Sequence, residues 1–235
     1  ERPYTYWTLE LYDQQNGIRG GGGLGILAAD TRRIAEKTNI PFALITPFYP
    51  YETHQKLENN TVSDDRIPVD YHKYGYKFID TVNIRCCGTL CRLDVIEKQF
   101  KNTRIIAITE PNFGELYSGM SGSDHRLYQE VALGFGGYAA LKLLGLKPAI
   151  MQLNEVATFF AALARLDELT HNGMDFYEAV VACSMAMGLA ASFEPGRIDN
   201  YLLPYYEKDL AEGRITYDEA FRLIRAIFED IERGM

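Results

Sequence analysis

The chain of 235 residues is long enough for one large domain or one and a half. Its 47% hydrophobic and 24% charged residues suit a chain that buries an ordinary core. A net charge of −8 excludes nonspecific binding to nucleic acid or to an anionic membrane surface, yet permits a small anion at a local positive site. No apolar run is long enough for a transmembrane helix, and no signal peptide opens the chain. It starts at Glu1 without a methionine, which points to a fragment or a trimmed chain. Cys86, Cys87, Cys91 and Cys183 form neither a Cys-x-x-Cys pair nor a disulfide framework. They are read as free thiols rather than as a metal site, and a reducing cytoplasm is the expected compartment.

Taken in order, alternation predicts a strand over 3–12. The stretch Gly20-Gly21-Gly22-Gly23-Leu24-Gly25 follows. Helical spacing over Ile26 to Lys37 places Leu27, Ile34 and Ala35 on one face, and Asn39-Ile40-Pro41 stops the helix. Phe42 to Phe48 is a short apolar strand. The β-loop-α-β order implies parallel strands joined by a right-handed crossover. Residues 49–75 read as a long polar excursion, in which His54 and His72 are solvated. Strand-like pieces at Thr81–Arg85 and Leu90–Ile96 turn at Gly88, and Thr103 to Thr109 is a further strand.

A second glycine- and serine-bearing loop spans 114–122, followed by a helix from Asp124 to Leu144. Gly134, Gly136 and Gly137 weaken that helix intrinsically, so close packing against another backbone is the expected reason for them. Gly145 and Pro148 end it. A buried strand is predicted over Ala149–Leu153, and a helix over Thr158–Leu169. Asp175 with Glu178 makes a capping box for a helix to Ala190. After a break at Glu194-Pro195-Gly196, Asp199–Glu212 is helical and interrupted near Pro204. A second capping box, Thr216 with Glu219, starts a helix whose apolar face is Ala220, Leu223, Ile224, Ile227 and Ile231.

Strand, glycine loop and helix together offer backbone N–H groups to an anion at a helix N-terminus. Asn154-Glu155 stands at the carboxyl end of a strand, where open α/β sheets place their ligands. Each candidate also has an ordinary structural explanation. Glu155 fits the first turn of a helix, and Asn154 fits a helix N-cap. His125-Arg126 is read as surface charge rather than as an anion contact. Helix pairing explains Gln129 and Glu130 as well as an interior role does. Glu10 is left open between crevice and solvent.

Three ordered motifs carry a family resemblance: Gly21 to Asp30 followed by Asn39-Ile40-Pro41; Asp124-His125-Arg126-Leu127-Tyr128-Gln129-Glu130-Val131-Ala132-Leu133-Gly134; and Gln152-Leu153-Asn154-Glu155 followed by Phe159 to Leu169. Over residues 3–183 the chain resembles the amino-terminal domain of the α-glucan (glycogen and starch) phosphorylases. The resemblance implies an α/β fold with a Rossmann-like parallel sheet, half of a two-domain glycosyltransferase fold. It further implies glucosyl transfer from an α-1,4-glucan to phosphate. Gly22, Gly23, Leu24, Gly25, Asn154 and Glu155 are the substrate- and phosphate-binding positions it carries over. No residue is assigned to catalysis or to a metal.

Pyridoxal phosphate serves the family through a lysine in the carboxyl-terminal half. That half has no counterpart here, so none is expected bound to this chain. The family's histidine two residues after Glu155 is replaced by Ala157. The implied partners are α-glucan or phosphate and a missing carboxyl-terminal catalytic domain, with no nucleic acid and no membrane.

Residues Gly196 to Leu210 and Glu212 to Thr216 resemble a helical segment of glycyl radical enzymes such as pyruvate formate-lyase. That tail contains no radical-bearing glycine motif and no matching catalytic cysteine, and no chemistry is carried over from it. The expected organisation is therefore a phosphorylase-like α/β domain over 1–183 and a helical hairpin over 184–235. Two unrelated resemblances in one chain suggest a fusion or chimera. The expected activity is that of a glycosyltransferase fragment inactive alone, with a catalytically inactive carbohydrate- or phosphate-binding module, or a structural chimera, as the alternative.

Overall fold

A computed structural model describes residues 2–12, 22–58, 61–86, 88–114, 116, 123–171, 173, 175–181 and 198–232. Gly20, Gly21, Cys87, Cys183, most of the 114–122 loop and the Glu194-Pro195-Gly196 break lie outside the described residues. The contacts form two compact units, Glu1–Leu163 and Ala164–Met235.

The first unit is an α/β layer structure around a six-stranded sheet. Its strands are β1 (Tyr4–Trp7), β2 (Phe42–Pro47), β5 (Lys77–Cys86), β6 (Thr89–Gln99), β7 (Thr103–Thr109) and β8 (Ile150–Leu153), in the order β5-β6-β7-β2-β1-β8. β7, β2, β1 and β8 are mutually parallel. β5 and β6 add an antiparallel hairpin at one edge, turning at Gly88 with φ +79°. The chain runs from β1 to β2, passes to the far edge at β5, comes back inward through β6 and β7, and then places β8 on the other side of β1. The order reverses between β1 and β8, and open α/β sheets bind their ligands at the carboxyl ends of strands at such a point.

Alternation decides the two faces of this sheet. Tyr6, Phe42, Leu44, Ile96, Ile105 and Ala107 pack with α1 (Gly23–Lys37). The expected face of α1 is corrected. Leu27 and Ile34 are 51% and 59% exposed, while Gly25, Ala28, Ala29, Arg32 and Ala35 are buried. Small side chains, not the large apolar ones, let α1 lie close to the sheet. Arg32 is tolerated inside because its guanidinium meets Glu36 and Thr103 and stacks on Phe100.

The opposite face carries one long helix in three parts: α2 (Ser123–Val131), a π turn at Ala132–Gly136 and α3 (Gly137–Leu143). A single helix over 124–144 was the sequence expectation, and the π turn interrupts it. A Cβ on Gly134 would sit 2.3 Å from the Cβ of Phe160 and 2.4 Å from its carbonyl carbon. Here the close neighbour is backbone, as expected. At Gly136 and Gly137 it is instead side chains, Leu93 at 2.4 Å and Ile45 and Trp7 at 2.7 Å.

Other expectations also change. The first strand stops at Trp7, although Thr8 to Leu11 stay buried. The 49–75 excursion contains a separate antiparallel pair, β3 (Tyr51–Glu58) and β4 (Thr61–Pro68), and a 3-10 turn at Tyr71–Tyr74. β8 is not buried: it is an edge strand, and Ile150 is 55% exposed. A 3-10 turn at Val156–Thr158 precedes α4 (Phe159–His171).

The second unit is helical where described. α5 (176–181), α6 (Ile198–Ala211) and α7 (Tyr217–Glu232) enclose Phe176, Ala179, Val180, Leu202 and Ala220. Both capping boxes form. The Glu178 amide donates to Asp175 at 2.8 Å, and the Thr216 amide donates to Glu219 at 2.9 Å. Buried Asp209 accepts from the Phe176 amide at 2.7 Å and pairs with Arg214. α6 continues through Pro204. Phe176, Leu202, Leu203, Tyr206, Tyr217, Ala220, Phe221 and Ile224 line an apolar cavity of about 290 Å³.

Gly134→Ala is expected to destabilise the chain by about 1–3 kcal/mol or more, because the contact is with backbone that cannot step aside. Gly23→Ala, with nothing within 4 Å of the new Cβ, should be neutral or gain up to about 1 kcal/mol. Urea unfolding of the two variants measures the contrast, and equal effects would contradict the packing argument.

Candidate functional site at the carboxyl end of the sheet

β1 and β8 deliver their following residues to the same place. Asn154 donates its amide to the Trp7 carbonyl at 3.1 Å, continuing the ladder one residue past β8. Its side-chain amide reaches Thr8 Oγ1 at 3.5 Å. Thr8 folds the backbone: its hydroxyl donates to the Glu10 carbonyl at 2.9 Å, and the Glu10 amide donates to the Thr8 hydroxyl oxygen at 3.1 Å. That local turn ends β1 and aims Glu10 inward, at 4% exposure.

The carboxylate of Glu10 lies at the start of α1. The backbone amides of Gly22 and Gly25 face it and favour its charged form, and a Cβ on Gly22 would be 3.4 Å from Oε2. Oε2 is itself sealed from solvent and completes no hydrogen bond of good geometry. Gly22 is extended and supplies no side-chain cap, so Glu10 takes the place of one. Burial pushes the Glu10 carboxyl up from the ordinary carboxylate value, and the charge of Glu155 adds to this. Arg126 and the two glycine amides oppose both without cancelling them.

Glu155 is exposed, at the mouth of the same region. Its backbone has φ +67° and ψ 173°, a conformation almost confined to glycine. The strain is held by Thr158, whose amide and hydroxyl both donate to the Glu155 carbonyl, at 3.2 and 2.8 Å. Glu155 is thus fixed by the turn it opens, and its charge also raises the Tyr6 hydroxyl, on which burial acts more strongly. Ala157 is buried in that turn and offers no polar group.

α2 supplies the remaining charges. Arg126 pairs with Glu130 at 2.8 Å, both half-buried. Arg126, Glu10 and Glu130 all act on buried Tyr49, whose hydroxyl donates to the Leu9 carbonyl at 3.1 Å and is pushed up mainly by burial. Gln129 is fully buried and donates to the Phe113 carbonyl at 2.8 Å, and His125 meets the same carbonyl at 3.0 Å. Tyr128 donates to Glu110 at 2.9 Å.

Of the residues expected at a site, Gly22, Gly23, Leu24 and Gly25 open α1, and Asn154 and Glu155 follow β8. Gly22 and Gly23 are exposed, Leu24 is half-buried and Gly25 is buried. Glu10 links the two groups, and Arg126 belongs with them rather than to bare surface. A carboxylate two residues past a run of aromatic and β-branched residues was the available signal for Glu10. His54, beside Glu52 at 3.3 Å, lies on the exposed face of β3. Among the described residues no group of His, Cys, Asp and Glu could hold a metal ion, and no helix is long and apolar enough to cross a membrane.

Residues 163–232 match the family model described as pyruvate formate lyase-like. Maltodextrin phosphorylase of Thermococcus litoralis is 33% identical over 90 residues, which are 38% of this chain and 11% of that protein. Isethionate sulfite-lyase of Nitratidesulfovibrio vulgaris is 58% identical over 33 residues, 14% of this chain and 4% of that protein. The chain therefore spans a small part of each curated relative. Among solved structures, the catalytic domain of starch synthase IV from Arabidopsis thaliana, bound to ADP and acarbose, superposes with a TM-score of 0.52 at 16% identity. It covers 74% of this chain, and this chain covers 32% of it. That likeness is one of fold: the chain shares the α/β architecture of a glycosyltransferase catalytic domain.

Two expectations follow from the geometry. Because the folded state holds the Glu10 proton more tightly than the unfolded one, ionising it costs stability as pH rises past the ordinary carboxylate value. The stability of Glu10→Gln relative to the parent should therefore improve between pH 4 and pH 7, read by urea unfolding; a constant difference would contradict the raised carboxyl. Glu155→Gly should relieve about 1–3 kcal/mol of backbone strain, offset in part by the entropy of a new glycine. A lower melting temperature for that variant would contradict the strained turn.

Proposed function

We propose that the first unit is the amino-terminal half of a glycosyltransferase of the α-glucan phosphorylase type, acting in this chain as a carbohydrate-binding module without catalysis of its own. The observation that carries this reading is the convergence of Thr8, Glu10, Asn154 and Glu155 beside the start of α1, at the reversal of strand order. Of these, the exposed carboxylate of Glu155 and the half-buried carboxamide of Asn154 suit the hydroxyl groups of a sugar, which both donate and accept. The partial identity to a maltodextrin phosphorylase and the shared fold with a starch synthase support α-glucan as the sugar class. Gly22, Gly23, Leu24 and Gly25 would form the wall facing the glucosyl unit. We assign the helical unit no chemistry, and read the chain as a fusion of an α/β domain with that helical unit.

Pyridoxal phosphate, which the family resemblance implies, does not fit these residues as they stand. The buried Glu10 carboxyl group already faces the amides that would receive a phosphate group, so no step is derived through the cofactor. Phosphoryl chemistry would also need groups that the family keeps in its second half.

Titration calorimetry with maltoheptaose tests the binding reading. Saturable binding is expected, weakened by about 3–10-fold in Asn154→Ala, the worth of one or two hydrogen bonds. A flat titration at millimolar maltoheptaose would overturn it. Incubation with phosphate and pyridoxal phosphate should release no glucose 1-phosphate, and its release would contradict the absence of catalysis.

A further inference from the structure

The helical unit leaves apolar surface outside its own core. α7 buries Ala220 and half-buries Leu223 and Ile224, yet Tyr217, Phe221 and Phe228 stay exposed, Tyr217 at 68%. Spacings of four and seven residues put these three rings on one stripe beside the buried face. α6 carries a second stripe, exposed Leu203 and Leu210, seven residues apart. Leu203, Tyr217 and Phe221 also line the cavity of about 290 Å³. Contiguous exposed apolar surface bordered by charge marks contact with another molecule.

Two features favour a second copy of this chain as the occupant. Projection and hollow share one face: the rings of Tyr217 and Phe221 stack with centroids 6.4 Å apart, at the cavity they line. A two-fold contact needs that arrangement, because each copy must offer both knob and hole. The charges are also complementary. Glu207 stands between Leu203 and Leu210 on the α6 stripe, and Arg225 between Phe221 and Phe228 on the α7 stripe, both exposed. Arg225 pairs with Glu229 on its own helix at 2.6 Å, an exposed pair that costs little to exchange. An acid on one stripe and a base on the other attract when α6 of one copy meets α7 of the next.

We propose that this face is a homodimer interface, in which α7 of each copy lies along α6 of the other. Phe221 fills the partner's cavity, and Arg225 meets the partner's Glu207. Two helical pairs then close into a four-helix bundle that buries both stripes. The interface belongs to the helical unit and is independent of sugar binding by the first.

Sedimentation velocity and light scattering of the full chain, from about 1 to about 100 µM, test it. A concentration-dependent dimer of twice the chain mass is expected. Phe221→Glu should stay monomeric over that range with an unchanged circular dichroism spectrum, since Phe221 is 55% exposed within one copy. Glu207→Arg and Arg225→Glu should each weaken the dimer by about 3–10-fold, because the two-fold loses two pairs at once. The double variant, which exchanges the charges, should restore it. A chain monomeric at every concentration overturns the proposal. So does a dimer indifferent to Phe221→Glu, or a charge exchange that restores nothing. Saturable binding of naphthalene by a monomeric chain also overturns it and gives the cavity to a small apolar ligand. If Phe221→Glu fails to fold, the charge exchange decides. Maltoheptaose titration is read separately, and its failure leaves the dimer standing.

Discussion

The carboxyl end of the sheet depends on how closely α1 approaches the segment that follows β1. The Tyr12 amide donates to the Gly25 carbonyl at 3.0 Å, and a Cβ at Gly25 would stand 2.8 Å from that same amide nitrogen. Only glycine permits the contact. It fixes the first turn of α1 against residues 10–12 and so places the helix amides beside Glu10. Glycines in such a stretch therefore answer to packing as well as to ligands. Gly25 is required by backbone approach, whereas Gly23 faces open space and is free of that demand.

Much of this architecture was legible in the sequence because its signals are local. Alternating and apolar runs gave β2 and β7 nearly to the residue, and the two capping boxes marked helix starts that the fold uses. The face of α1 was misread for a physical reason. Hydrophobic periodicity looks for large apolar residues, but this helix buries Ala28, Ala29 and Ala35 and leaves Leu27 and Ile34 outside. The β3–β4 pair was missed because polar residues with many tyrosines look like loop when a two-stranded ribbon is solvated on both faces. β8 reads as a buried run, yet its position at the sheet edge depends on topology, which no local window contains.

The candidate site shows the same division. Asn154 and Glu155 could be placed at a strand end from spacing alone. The strained backbone of Glu155 could not, since nothing in its residue type calls for a positive φ; the turn closed by Thr158 imposes it. Glu10 was undecidable because alternation cannot choose the face of a residue that lies past the end of its strand. The Thr8 hydroxyl makes that choice by bending the chain.

Charge, more than shape, separates the two readings of the glycine loop. A helix N-terminus favours any oxyanion, and the gain of roughly 0.3–2 kcal/mol is similar whether the charge is a phosphate or a side-chain carboxylate. A carboxylate tethered two residues past a turn loses far less freedom on docking than a ligand from solution does. Burial nevertheless raises the Glu10 carboxyl even beside those amides. The amides that look from sequence like a phosphate cradle are, in the folded chain, the partners of an internal acid.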